Sequence, residues 1–353
     1  MQEALKEMYG NWDDSFSMLY RWKEEILIKA PNSVVEIDTQ VVDEKVYFHI
    51  FFCALEPCIE GFRAACRPYL SVDSTALNGR WNGHLAAATA LDGHNWMYSV
   101  AFGFMESESK DNWVWFMTQL RRAIGNMEKL AICTDAGKGL MTVVELLFPQ
   151  ADKRECFRHL MQNFIKRFHG SSYRGMYPAA RAYRQAEFDR HIGPILHSDP
   201  EVITWLNRDH KFKWMRSTFD PDIKCDYINN NLAECFNNWV KDHKDLPVVQ
   251  LADKIRELIM VLWEKRMRIG GKLCGTILPA IVHQLNIRSR VLGHLKVVNA
   301  GNGHAEVFDN SPKQERHIVD LGAQECSCLE WQHTGKPCDH AIVVITSFRS
   351  ERI

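Results

Sequence analysis

The stretch "CRPYLSVDSTALNGR", residues 66–80, holds an apolar run that ends in an acid. Tyr69 to Val72 predict a buried strand, and Asp73 stands at its tip. A buried carboxylate without a partner costs several kcal/mol or takes up a proton. The rest of the chain should therefore supply either a neutralising side chain or a metal ion for Asp73.

Bulk composition predicts a soluble globular protein of two or three domains, since the 353 residues are 46% hydrophobic and 25% charged. An apolar run of about 18 residues, as a membrane span requires, does not occur. The acidic, amphipathic N-terminal sequence resembles neither a secretory signal nor an Arg-rich transit peptide. In such a chain, eleven cysteines favour reduced thiols or metal ligands over a disulfide framework.

Basic residues are concentrated in two segments, although the net charge is only −1. Residues 151–190 hold nine Lys/Arg against four Asp/Glu, and residues 261–290 hold six against one. Segments of this kind are compatible with a polyanion such as DNA, and equally with solvated helix faces.

The order of elements predicts an α/β fold with a mixed sheet of the ribonuclease H-like (DDE integrase) type. Three strands come first, and in each the residues either alternate between apolar and polar or are continuously apolar. Two further strands follow, separated by crossover helices. In order, the predicted elements are a helix at 13–29, strands within 34–55, strands at 69–75, 84–91 and 96–105, a helix at 110–125, a strand at 129–135, a helix at 138–147, and a short strand entering a basic helix at 153–168. Residues 171–225 show only helical patterns and predict an all-helical insertion.

The predicted organisation has six parts. They are an N-terminal helix and strands at 1–65, the first part of the core at 66–170, the helical insertion at 171–228, a core helix at 229–270, a connecting segment at 271–315 and a small ββα zinc finger at 316–350.

A second acid follows the fourth core strand in "LAICTDAGKGL", where Asp135 precedes glycines. In a ribonuclease H-like sheet the first and fourth strands are parallel neighbours, so Asp73 and Asp135 should meet at one edge. Two adjacent carboxylates repel unless a cation such as Mg²⁺ lies between them. The alternative is that each Asp caps a turn or helix.

A third acid, Glu234, lies in "INNNLAECFNNWVKDHKDLP" on the polar face of an amphipathic helix. Leu232, Phe236 and Trp239 fall on its apolar face. Taken alone, an acid in this position is normally a solvent-exposed side chain with no specific function.

Four soft ligands occupy the C-terminal region in "CSCLEWQHTGKPCDHA". Cys326, Cys328, Cys338 and His340 are spaced C-x-C, nine residues, C-x-H. This pattern suits a closed, structural, tetrahedral Zn²⁺ site. It resembles the SWIM zinc finger, a module associated with DNA or protein binding, and His333 lies outside the pattern.

Several ordered motifs resemble the transposase of plant Mutator-like elements (MULE). They are residues 61–124 around "YLSVDSTALNGRW", "CTDAGKGL" at 133–140, "CFRHLMQNFIKRF" at 156–168, and residues 229–260 beginning "NNNLAECFNNW". The resemblance implies a DDE site formed by Asp73, Asp135 and Glu234, each binding Mg²⁺ or Mn²⁺ for DNA strand cleavage and joining. It also implies DNA as partner, a homo-oligomer during transposition, and the nucleus as location.

Other residues keep two interpretations. Cys156 and His159 in "CFRH" resemble the C/D-x-x-H motif of DDE superfamilies, and we expect them to pack and hydrogen-bond near the active site rather than bind zinc. Trp205 and Trp214 either stack on an exposed base or form the core of the insertion. The chain begins close to the catalytic core, without the N-terminal DNA-binding domain that the family often carries, which raises the expectation of a truncated or inactive copy.

Two further functions compete with the metal-dependent transposase. One is a domesticated, transposase-derived nuclear DNA-binding regulator without catalysis, which the loss of any acid would favour. The other is a cellular ribonuclease H-like nuclease, against which the zinc finger and the helical insertion argue.

Overall fold

The computed structural model describes residues 12–135, 137, 139–168, 174–275, 277–309 and 315–350. The chain divides into two compact units. One comprises residues 1–160 and 229–272, and the other comprises residues 161–228 and 273–353. Lys138, the predicted start of a helix, lies outside the described residues.

The first unit is built on a seven-stranded mixed sheet with the order β1-β2-β5-β4-β3-β6-β7. Its strands are β1 (Val34–Val42), β2 (Lys45–Ala54), β3 (Tyr69–Ala76), β4 (His84–Leu91), β5 (Met97–Met105), β6 (Ala131–Thr134) and β7 (Asp152–Glu155). The first five form antiparallel pairs, whereas β6 is parallel to both β3 and β7. The parallel pairing of the first and fourth core strands is therefore confirmed, and the two N-terminal strands extend the same sheet.

Helices cover this sheet because its central strands are apolar on both faces. They are α1 (Trp12–Lys29), α2 (Glu56–Ala65), α3 (Lys110–Ile124), α4 (Leu140–Leu147), α9 (Asn231–Trp239) and α10 (Val248–Gly270), numbered in chain order. A further helix, α5 (Phe157–Arg167), begins in this unit, and its residues from 161 onward belong to the second unit. The Ser109 side chain caps α3 by accepting from the Asn112 amide, and Gly125 ends that helix at φ 72°. Phe52 and Phe116 pack edge to face at 5.1 Å in the core. The sequence pattern did not predict α2, although Pro57 in its first turn is a helix-start signal.

The second unit combines helices with a four-stranded antiparallel sheet. Its elements are α6 (Met176–Arg181), α7 (Gln185–Ser198), α8 (Glu201–Asp209), α11 (Pro279–Ser289), β8 (Leu295–Gly301), β9 (His304–Asp309), β10 (Arg316–Asp320), β11 (Glu325–Cys326), α12 (Glu330–Thr334) and α13 (Asp339–Ser350). Among the described residues 174–228, the regular elements are α-helices and short 3-10 helices, as predicted for the insertion.

The zinc-finger region is larger than the predicted ββα unit. β8 and β9 lie within the predicted connecting segment, yet they belong to the same sheet as β10. An Asn302–Gly303 turn joins them, and both residues adopt positive φ angles of 51° and 83°. Asn-Gly is the preferred pair for a two-residue hairpin, so the sequence contained a signal for this hairpin that the prediction did not use.

Candidate active site and zinc centre

The first two acids lie on adjacent parallel strands. Asp73 is not at the tip of its strand as predicted, because β3 continues to Ala76, whereas Asp135 directly follows the end of β6. The last registered pair between β3 and β6 is Ser71 with Cys133. Asp73 and Asp135 each stand two residues beyond that pair. The register therefore gives the two acids equivalent positions on adjacent strands, whereas among the described residues the ligand atoms of the three acids form no group within 4.8 Å of one another.

Asp73 carries the clearest electrostatic signature of the site. Burial, followed by the negative charge of Asp135, raises its pKa from 3.8 to about 6. Glu234 raises this pKa further, whereas the Ser74 backbone and His159 act in the opposite direction. The Ser74 N–H donates to Asp73 Oδ1 at 2.8 Å. Negative charge thus accumulates in a poorly solvated place, which is where a divalent cation stabilises carboxylates.

Asp135 does not cap the helix that follows it. The N-cap of α4 is Gly139, at φ 82°, and no side chain caps this helix. Asp135 Oδ1 accepts from the Gly137 amide at 3.4 Å, which is long for a hydrogen bond. Most of the lone pairs of this carboxylate therefore remain available to coordinate a cation.

Glu234 lies in the first turn of α9, whose apolar face is buried through Leu232, Ala233 and Phe236. Its Oε2 accepts from Nη1 of Arg158, a residue near the start of α5. Sequence reasoning did not identify this ion pair, because 76 residues separate its members. Glu234 thus belongs to the same charge cluster as Asp73 but already has a cationic partner.

A buried hydrogen-bond network holds α9 against β3. Asn230 is fully buried, and its Nδ2 donates to the Val72 carbonyl at 3.3 Å. The Ser71 hydroxyl donates to Asn230 Oδ1 and accepts from the Ala233 amide at 3.3 Å. These contacts fix the helix that carries Glu234 to the strand that carries Asp73.

Asn230→Ala is expected to destabilise the protein by about 2–3 kcal/mol, because the Ser71 hydroxyl and the Val72 carbonyl lose a buried partner. Urea denaturation at neutral pH measures this. Asn238→Ala, at an exposed position of the same helix, is the control and should change stability by less than about 0.5 kcal/mol. Equal effects for the two variants would show that the network contributes little.

Cys156 joins the same network. Its Sγ accepts a hydrogen bond from the Asn230 backbone N–H at 3.2 Å, and burial raises the pKa of its thiol. His159 lies close enough to Asp73 to lower the pKa of that carboxyl. In the described residues these two side chains take part in no cluster of metal-ligating groups.

Trp205 and Trp214 are core residues of the second unit. Their exposed fractions are 5% and 3%. Trp205 packs edge-on against Phe164 and Phe168 at 5.8 and 5.4 Å, and Trp214 packs against Phe188 at 5.7 Å. Rings buried to this extent present no face on which a nucleic acid base can stack.

The four predicted zinc ligands converge in the second unit. The ligand atoms of Cys326, Cys328, Cys338 and His340 all lie within 4.8 Å of one another. His340 Nδ1 is 3.7 Å from Cys326 Sγ and 3.9 Å from Cys338 Sγ. Zn–S and Zn–N bonds of about 2.3 and 2.0 Å give a tetrahedral S–N edge of about 3.5 Å, so the arrangement fits zinc closely.

The surroundings of this cluster favour a structural ion. Hydrogen bonds from the Cys326 and Cys338 thiols lower the pKa of Cys328, so a thiolate is favoured there. The His317 ring stacks on His340 at 4.0 Å. His333 is buried against Tyr183 at 5.5 Å and is not part of the cluster. Four protein ligands leave no open position for a reacting group.

Comparison with known proteins gives two matches to family profiles. Residues 69–163 match the MULE transposase domain, and residues 317–348 match the SWIM zinc finger. The first match contains Asp73 and Asp135, and the second contains all four zinc ligands. None of the helices in the described part of the chain has the length and apolar character needed to cross a membrane.

A curated relative, Protein FAR1-RELATED SEQUENCE 6 of Arabidopsis thaliana, is 21% identical over 196 residues. The aligned region covers 52% of this chain and 28% of that relative, so it spans little more than a quarter of the relative's length. The two profiles and this relative are therefore similarities over parts of the chain. The matches show a chain with a MULE transposase domain followed by a SWIM zinc finger, as the resemblance in the sequence predicted.

Proposed function

We propose that the chain is a DDE-type DNA transposase of the Mutator-like class, built on a ribonuclease H-like sheet. The observation that carries this proposal is the parallel register of β3 and β6, which gives Asp73 and Asp135 equivalent positions on adjacent strands, and the charges of Asp135 and Glu234 accordingly raise the pKa of Asp73. The strand order supports the fold assignment. Three antiparallel strands form a meander, and two parallel strands then extend the sheet beyond the first of them.

In this proposal Asp73, Asp135 and Glu234 would hold Mg²⁺ or Mn²⁺, since three carboxylates are the oxygen ligands these ions prefer. The metal supplies activation of an attacking oxygen and stabilisation of the leaving oxygen during phosphoryl transfer. The protein's own contribution is positional. The Asn230 network fixes the helix of the third acid against the strand of the first, and the Ser74 amide orients the Asp73 carboxylate.

Zinc in the SWIM finger, DNA as substrate, a homo-oligomer during strand transfer, and a nuclear location complete the proposal. The zinc follows from the Cys₃His cluster and the SWIM match. The other three follow from the transposase assignment.

A DNA-binding regulator without cleavage activity is the second candidate. The ion pair between Arg158 and Glu234 favours it, because that pair neutralises the third acid with a side chain instead of a metal. Both candidates bind DNA, so only cleavage separates them.

The test is nicking of supercoiled plasmid by the purified chain in Mg²⁺ or Mn²⁺, with EDTA as the metal-free control. We expect metal-dependent nicking that Asp135→Asn eliminates and Asp111→Asn retains, since Asp111 is an exposed acid at the start of α3. A folded, zinc-loaded protein that binds DNA without nicking it in either metal would instead support the regulator.

A further inference from the structure

The proposed metal site alone does not account for the ion pair between Arg158 and Glu234. The role inferred for Arg158 rests on the proposed function. Arg158 lies near the start of α5, two residues after Cys156, and its Nη1 donates to Glu234 Oε2. The Arg158 side chain is 51% exposed and that of Glu234 is 30% exposed. Exposed ion pairs contribute little net stability, so this one exchanges its partners readily.

A guanidinium and a divalent cation compete for the same carboxylate. Glu234 contributes to the negative potential at Asp73, together with Asp135. An ion bound among these acids would attract the oxygens of Glu234 and repel the guanidinium, since both are cations. Metal binding would therefore weaken the Arg158–Glu234 pair and leave the guanidinium beside the acids without its carboxylate.

A guanidinium released in this position suits a DNA phosphate. Arginine binds phosphate oxygens through two parallel N–H donors, and it stays charged at any physiological pH. Without a metal, the three acids repel the phosphodiester backbone, and Glu234 occupies the Arg158 guanidinium. With a metal, the local charge would become favourable to phosphate, and the donors of Arg158 would become available to a DNA backbone that enters the site.

We propose that Arg158 is a DNA phosphate-binding residue that Glu234 holds until a divalent cation takes over the Glu234 carboxylate. Metal binding and backbone binding are then coupled, so that each strengthens the other. This coupling would keep DNA binding at the three acids weak until the metal ion required for cleavage is bound.

The first measurement is Mn²⁺ affinity, from the free-Mn²⁺ signal in electron paramagnetic resonance, with no DNA present. Arg158→Ala is expected to bind Mn²⁺ about 3–10-fold more tightly than the wild type, because a competing cation is gone. Arg122→Ala is the matched control, since Arg122 is an exposed arginine that pairs with Glu36 on the edge strand β1 at 2.6 Å. Unchanged or weaker Mn²⁺ binding in Arg158→Ala would overturn the proposal, because Arg158 would then only orient Glu234.

The second measurement is fluorescence anisotropy with a labelled DNA duplex, in EDTA and in Ca²⁺, which occupies oxygen sites. The wild type should bind about 5–10-fold more tightly in Ca²⁺, and Arg158→Ala should lose this gain together with about one unit of the salt slope. Glu234→Gln frees Arg158 without a metal, so it should bind DNA in EDTA more tightly than the wild type does. Weaker binding of Glu234→Gln in EDTA would contradict the proposal.

Asp73→Asn separates failure of this inference from failure of the proposed function. If the wild type binds no Mn²⁺, or if Asp73→Asn binds it equally well, the metal site itself is wrong and the inference falls with it. If Asp73→Asn loses Mn²⁺ while Arg158→Ala matches Arg122→Ala, the metal site stands and only the role of Arg158 is refuted. Arg158→Gln removes the charge but keeps a polar side chain of similar reach, and it replaces Arg158→Ala if that variant does not fold.

Discussion

Asp73→Asn should lower metal-dependent strand cleavage on the order of 10³-fold, and at the same time make the metal-free protein more stable at neutral pH. Activity falls because a central ligand of the proposed metal site is lost. Stability rises because burial and the neighbouring Asp135 make an ionised carboxylate unfavourable at this position. A neutral amide of the same size removes both penalties while keeping the shape of the side chain.

The pH dependence of stability gives the sign of this effect. Folding raises the pKa of Asp73 from 3.8 to about 6. A carboxyl group with a raised folded-state pKa contributes stability below its unfolded pKa and loses that contribution as the pH rises through its folded pKa. The contribution reaches about 3 kcal/mol at full protonation, since one pKa unit corresponds to about 1.4 kcal/mol. In the wild type it is therefore present near pH 4 and lost above pH 6.

Urea denaturation in EDTA measures this linkage. The stability advantage of Asp73→Asn over the wild type should grow by about 1–2 kcal/mol between pH 5 and pH 7.5. Adding Mn²⁺ at pH 7.5 should stabilise the wild type but not the variant, because only the wild type retains the site. Asp111→Asn should follow the wild type in every condition. Parallel pH profiles of stability for Asp73→Asn and the wild type would mean that folding does not raise the pKa of the Asp73 carboxyl.

The positions of Asp73 and Asp135 on adjacent parallel strands could be predicted from the sequence alone. An apolar run that ends in an acid is a local signal, and the parallel pairing of β3 with β6 follows from the order of elements along the chain. Burial of Trp205 and Trp214 could likewise be anticipated, because tryptophans at helical spacing pack in cores more often than they bind ligands. The acid signals and the burial of the tryptophans needed only local sequence, and the strand pairing needed only the order of elements along the chain.

The parts that could not be predicted depend on contacts between distant segments. Asn230 reaches Val72 across 158 residues, and Arg158 reaches Glu234 across 76. No periodicity or motif spacing encodes which exposed arginine meets which glutamate, because many pairings would satisfy the same helix patterns. The hairpin at Asn302–Gly303 is different, since its turn signal is local. Its strands resemble a connecting segment in the sequence because β8 is largely exposed and shows little apolar alternation.

Cys338→Ser should remove about one zinc ion per chain and destabilise the second unit by at least about 3 kcal/mol. The apolar cluster around the site is small, and it includes two of the ligands themselves, Cys326 and Cys338. A core of this size does not hold a sheet together without an additional cross-link, which the metal provides.

The loss should extend into the helical insertion, because the two parts of this unit are in contact. Lys224 Nζ donates to the Gln332 carbonyl at 2.9 Å, and Tyr183 packs on His333. Zinc content by mass spectrometry and hydrogen exchange across residues 161–228 and 273–353 report the two effects separately. Cys235→Ser, which changes an exposed cysteine of the first unit, should keep the zinc and the exchange pattern of the wild type. If Cys338→Ser kept its zinc, the three remaining ligands would suffice and the four-ligand assignment would be wrong. If it lost zinc without faster exchange, the ion would be bound but would not stabilise the fold.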